Sequence, residues 1–266
     1  CIRDSTLVIP VNNAAPKVAM TIGAGAATLA MKAGETATLS FVFTQDPGTT
    51  FTVNDISVVG GGNITNLTKV DATHYTATYT PPALTTGIST LNIASSSFAN
   101  IVNLSNIDGA DSDNTVTVSV DTQVPTVNIT GPSTVVKAGE TPTITFNFSE
   151  DPGTSFTVAD VVVTGGGSLS GLAGTGTTRT AIYTPLANSI TPVNFGIASN
   201  TFQDAAGNPN ADGGELNNYF NLSIDTVRPT VAVSTSKSLT GEGEDLILTF
   251  TFSEDPGTSF TTVSYT

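Results

Sequence analysis

Between Asp121 and Ile224 the chain alternates apolar and polar residues in short runs that glycine and proline interrupt. From Thr143 to Phe148, the residues Ile144, Phe146 and Phe148 fall on one face and Thr143, Thr145 and Asn147 on the other. That period of two marks a half-buried strand. A strand starts at Val127–Ile129 after Pro125, and Lys137-Ala138-Gly139-Glu140 reads as a turn. Asp151-Pro152-Gly153 ends the Thr143 strand, and Gly165-Gly166-Gly167 closes another at Val161–Val163. Further strands are expected around Leu169 and Leu172, at Thr178–Tyr183, at Val193–Ile197 and at Tyr219–Ile224. No apolar period of 3.6 survives the glycines, so no helix is expected. Seven short strands at such intervals predict an all-β, antiparallel Greek-key sandwich. In that topology the start of the first strand, the loop after the second (B–C) and the loop before the last (F–G) share one end.

The pattern then returns. Asp121-Thr122-Gln123-Val124-Pro125-Thr126-Val127 recurs at Asp225-Thr226-Val227-Arg228-Pro229-Thr230-Val231, a spacing of 104 residues. Phe148-Ser149-Glu150-Asp151-Pro152-Gly153-Thr154-Ser155-Phe156 recurs at Phe252–Phe260 with the same spacing, and a diverged copy begins at Phe43. A repeating unit of about 100 residues is a whole domain rather than a solenoid turn. The chain therefore reads as a linear array. Asp4–Val11 aligns with Asp113–Val120, so residues 1–11 read as the last strand of a preceding repeat, 12–120 form repeat 1, 121–224 repeat 2, and 225–266 part of repeat 3. Both ends read as cut from a longer array, and Cys1 as a fragment start rather than a lipid-bearing cysteine.

Composition narrows the function. The chain has no tryptophan, 25 glycines, 14 prolines and a net charge of −14. Nucleic acid is a poor partner, because phosphate contacts need clustered cations. No run is apolar and long enough to insert into a membrane. One cysteine excludes an internal disulfide, which leaves packing, or packing plus metal, to hold each repeat.

These repeats resemble the bacterial Ig-like domains found in tandem in very large surface adhesins and biofilm-associated proteins. The likeness is carried by Asp121-Thr122-x-x-Pro125-Thr126, by Phe148-Ser149-Glu150 with Phe156-Thr157-x-x-Asp160-Val161, by Tyr183-Thr184-Pro185, and by Phe202-x-Asp204-Ala205-Ala206-Gly207-Asn208. The resemblance implies a non-enzymatic, extracellular, cell-surface rod whose repeats act as spacers or adhesive modules. Its partners would be neighbouring Ig-like repeats, other copies of itself, or a host or surface ligand. It also implies calcium at junctions between repeats.

The acidic residues address that last point. Asp121 in the linker, Glu150 in the B–C loop and Asp204 in the F–G loop fall at one end of repeat 2, and Asp151, Asp160, Asp212 and Glu215 lie near it. Calcium takes six to eight oxygens, mostly carboxylate and carbonyl. Repeat 1 changes the three positions together, to Asn12, Gln45 and Asn100. A shared site explains a coordinated loss of charge. A calcium site is thus expected at the repeat 1/repeat 2 junction, from Asp121, Glu150, Asp151, Asp204 and Asp212. Asp225 and Glu254 would form half of the next, and the N-terminal junction would be empty.

Other signals are set aside. His74, the only histidine, lacks the partners of a triad or zinc site. The glycine triplets follow strands without a P-loop lysine. A carbohydrate-binding module would display aromatic side chains, which are scarce here. A self-assembling filament subunit, joined by inter-chain strand contacts or donation, is the alternative to the adhesin rod.

Overall fold

A computed structural model describes residues 14–26, 28–109, 111–212, 214–238 and 241–261. They fall into two compact units. The first comprises the described residues up to Pro125 together with Phe202–Ala211, and the second Thr126–Thr201 with the described residues from Asp212 onward. The strand expected within residues 1–11 lies outside the described residues.

In the first unit the strands are β1 (Val18–Ile22), β2 (Thr28–Lys32), β3 (Ala37–Phe43), β4 (Ile56–Val59), β5 (Asn63–Lys69), β6 (His74–Thr80), β7 (Thr86–Ile93) and β8 (Thr115–Asp121). They form two four-stranded sheets, in the orders β1-β3-β6-β5 and β2-β8-β7-β4. Alternation decides what is buried. Leu39, Phe41 and Phe43 of β3 point inward with Tyr75, Ala77 and Tyr79 of β6, and meet Leu91, Ile93, Val116, Val118 and Val120 of the other sheet. Phe43 and Phe51 lie edge to face at 4.8 Å, and Phe43 and Phe98 at 5.1 Å, a favoured ring geometry.

The second unit repeats the plan with β9 (Val127–Thr130), β10 (Val136–Lys137), β11 (Thr143–Phe148), β12 (Val161–Thr164), β13 (Ser168–Ala173), β14 (Thr178–Thr184), β15 (Val193–Ile197), β16 (Tyr219–Leu222) and β17 (Ile224–Asp225). Its sheets run β13-β14-β11-β9 and β12-β15-β16. Ile144, Phe146, Tyr183, Val193, Phe195 and Ile197 are its buried centre. β18 (Val231–Thr235) and β19 (Leu248–Phe252) form an antiparallel hairpin with the ring contacts of the earlier copies, Phe252 lying 4.7 Å from Phe260.

The all-β architecture holds, with three departures from the strand reading. The first predicted strand is divided in two, and its second half pairs parallel with the last strand, β2 with β8 and β10 with β17. In repeat 2 this parallel ladder spans only Val136–Lys137, so the last strand changes partner at Ser223 and separates into β16 and β17. Short 3-10 turns occupy Val53–Asp55 and Val158–Asp160. Asp55 and Asp160 close them by accepting the Thr52 and Thr157 N–H groups, each at 2.6 Å. Asp160, placed near the acidic end by sequence, is therefore a turn-capping residue.

The glycine triplets have a steric explanation. Tyr79 donates to the Gly61 carbonyl at 2.9 Å and Tyr183 to the Gly166 carbonyl at 2.7 Å. A Cβ on Gly62 or Gly167 would meet those tyrosines at 2.5 and 2.4 Å, and both glycines have positive φ. Only glycine lets the chain pass that close to the phenol.

One exposed turn yields a pH prediction. Asp71 accepts from Thr73 N–H, from the His74 ring at 2.9 Å and from His74 N–H. These contacts, the Thr73 bond foremost, hold its carboxyl at about 2, below the ordinary aspartate value of about 3.9. A folded value below the unfolded one means that the turn's stabilisation is present above about pH 4 and is lost as pH falls through about 2. Carboxyl carbon NMR should show the Asp71 inflection near pH 2. An inflection near 4 would contradict these hydrogen bonds.

Candidate functional site

The predicted convergence of loops is visible in the first unit. Gln45, in the loop after β3, donates to the Ala14 carbonyl at 2.7 Å, and Asn100, in the loop before β8, donates to Gln45 Oε1 at 2.8 Å. The start of the first strand and the two loops are thus tied by an amide pair, at two positions where repeat 2 carries Glu150 and Asp204. Asn12 lies outside the described residues.

The seven residues assigned to metal have distinct surroundings. Asp151 accepts from Gly153 N–H at 2.9 Å and pairs with Arg179 at 3.0 Å. The Gly153 N–H, and then the guanidinium, hold its carboxyl below the usual range. Asp46 and Asp255 bond Gly48 and Gly257 in the same way, at 2.8 Å each, so this aspartate shapes the Asp-Pro-Gly turn in every copy. Repeat 1 divides Arg179's work between two side chains. Lys69 pairs with Asp46 at 2.7 Å, and Tyr75 donates to the Gly48 carbonyl. Asp212 is fully buried and accepts the Val127 N–H at 2.7 Å. Its counterpart Asp108 takes the Val18 N–H at 2.8 Å.

Asp121 ends β8, and its carboxylate accepts from Thr86 Oγ1 at 3.1 Å. Asp204 is buried, and Asn208 occupies both of its oxygens, through N–H at 2.8 Å and Nδ2 at 2.8 Å. The same Nδ2 reaches the Asp121 carbonyl at 2.9 Å, so the first unit brings Asp121 and Asp204 together around an amide. Asp225 accepts from Val227 N–H at 3.2 Å, Glu254 is exposed, and Glu150 is half-buried. Carboxylate chemistry fits a hard cation, and among the described residues no three His, Cys, Asp or Glu side chains form one cluster.

Sequence reasoning passed over the asparagines. Asn106 and Asn210 are buried, and their side-chain oxygens accept the Phe98 and Phe202 N–H groups, each at 3.0 Å. Asn114 donates to Ile93 and Asp108 carbonyls, at 2.6 and 2.7 Å. The recurrence of Asn-x-Asp at 106–108 and 210–212 was the available signal. Thr122 explains the Asp-Thr motif, since its hydroxyl is buried on the Pro82 carbonyl at 2.7 Å, as Thr226 is on Leu186.

A depression of about 300 Å³ beside Pro81, Pro82 and Leu84 has a counterpart of about 320 Å³ beside Pro185 and Leu186. Repeated sheets of this order define a tandem immunoglobulin-like β-sandwich protein. Residues 12–119 and 121–220 each match the model of the bacterial Ig-like domain, and the chain belongs to that family. Comparison with curated proteins gives no match. Among solved structures the chain is similar to invasin, described as a bacterial integrin-binding protein, at 17% identity over 80% of this chain and 40% of that one, with a TM-score of 0.37. It is also similar to InvD of Yersinia pseudotuberculosis, at 16% over 84% and 65%, TM-score 0.32. The titin I9–I11 tandem follows at 9% over 83% and 69%, TM-score 0.33. No helix among the described residues is long and apolar enough to cross a membrane.

Proposed function

We propose that this chain is a non-enzymatic segment of an extracellular bacterial surface protein, a rod of Ig-like repeats that spaces or presents adhesive surfaces. The observation that carries this reading is the repetition itself: the family's domain occurs twice in tandem, at residues 12–119 and 121–220. Whole cells producing the parent protein should bind antibody raised against this segment without permeabilisation. Labelling seen only after lysis would overturn the surface assignment.

Calcium stiffening of linkers is a finer part of the proposal. It rests on the coordinated exchange of Asp121, Glu150 and Asp204 for Asn12, Gln45 and Asn100, and on the hydrogen bond between Gln45 and Asn100. It requires more oxygen ligands than the described carboxylates gather. Melting should shift upward when calcium replaces chelator, and Glu150→Gln should abolish the shift. Equal melting in both buffers would remove calcium and leave the rod intact.

A further inference from the structure

We propose that Asn208 is an amide latch that seats the loop Phe202–Ala211 in the first unit. The latch deepens the tandem-rod reading and rests on it. Asn208 is 0% exposed, and both ends of its side chain are used. Its Oδ1 accepts the Ala33 N–H at 2.8 Å. Its Nδ2 donates to the Asp121 carbonyl at 2.9 Å and to Asp204 Oδ2 at 2.8 Å. Beside it, Lys32 Nζ donates to the Gly207 carbonyl at 3.2 Å. Gly207 has φ +86, and a Cβ there would come within 3.1 Å of that ammonium. A buried amide with its hydrogen-bonding capacity matched on both sides is specific, because an aliphatic side chain leaves each partner unpaired.

The first repeat supplies the contrast. Its loop has the same closing bridge, Ala99 with Ser105 where the second has Gln203 with Pro209. The positions of Ala205, Ala206, Gly207 and Asn208 are held there by Ile101, Val102, Asn103 and Leu104. Ile101 and Val102 are 73% and 62% exposed. The loop frame is therefore kept while its tip changes from small and hydrogen-bonding to apolar, and Leu104 cannot act as a latch. The tip chemistry decides which of the two loops carries the latch, and the partners of Asn208 are Ala33, Asp121 and Asp204.

The test uses the whole chain in chelator throughout, so that the outcome is independent of calcium. Amide exchange by NMR should show Ala33 N–H protected about tenfold or more over an open turn. Asn208→Leu, which installs the residue native to the first repeat, should abolish that protection while Phe202 N–H stays protected. Ala33→Pro removes the facing donor without touching the loop. If the latch is real, the two substitutions lower the first unit's urea midpoint non-additively, the double variant losing little beyond either single one. Unchanged Ala33 exchange in Asn208→Leu, or additive midpoints, would overturn the latch. Neither outcome bears on surface display, which the antibody experiment decides.

Discussion

Phe146→Ala is expected to destabilise the second unit by about 3–5 kcal/mol, as large-to-small changes at buried aromatic positions do. Phe146 is 0% exposed in the middle of β11, flanked by Ile129 on β9 and Arg179 on β14, with the Phe156 ring 5.2 Å away. Alanine removes the ring contacts and leaves a cavity that strands on both sides prevent from collapsing. The same sheet contains a control, since Ile182 of β14 is 45% exposed. Ile182→Ala should cost less than about 1 kcal/mol, the range of exposed positions. Urea denaturation followed residue by residue measures both, since one global signal would merge units that need not unfold together. Equal costs at the two positions would mean that burial does not set the difference.

That contrast also shows what was legible from sequence. Ile144, Phe146 and Phe148 alternate without interruption, so the period alone assigned their face, and the structure buries all three. The parallel pairing of Val136 with Ile224 was not legible, because two residues leave no period to read. Each unit has one shift of register, the first in β5 between Thr65 and Thr68 and the second in β13, and these were half visible. The second falls between Ser170 and Ala173 where Gly171 takes φ +63, but the first hides behind Asn66, an ordinary residue holding φ +55.

At the acidic end, sequence comparison found the positions that change together but not what each does. A carboxylate that accepts a backbone N–H looks the same in sequence as one that binds a cation. Asp151 and Asp160 serve turns, in copies where their counterparts Asp46 and Asp55 do the same. Repetition exposes this once the partners are known. An acid retained in every copy, as Asp46, Asp151 and Asp255 are, belongs to the fold of the repeat. An acid that alternates with an amide, as Asp204 does with Asn100, belongs to what distinguishes one joint from another.

Asp108 carries that distinction furthest. It is 0% exposed and both of its oxygens are engaged, Oδ1 accepting the Val18 N–H at 2.8 Å and Oδ2 the Asn106 amide at 2.8 Å. It thereby ties the first strand to the loop before β8, and the sequence keeps it as Asp212 in repeat 2, where the Val127 N–H is bound at 2.7 Å. Asp108→Ala would leave two buried donors unpaired, each costing about 1–3 kcal/mol, so a loss of about 2–6 kcal/mol is expected in the first unit. Asp108→Asn has a single carbonyl oxygen to offer and should recover about half of that loss. Asp212→Ala should behave alike in the second unit. All three losses should be the same in calcium and in chelator, because what each substitution removes is a hydrogen bond to a backbone N–H. If the Asp212→Ala loss instead appeared only in calcium, Asp212 would be a metal ligand and its likeness to Asp108 would be one of position alone.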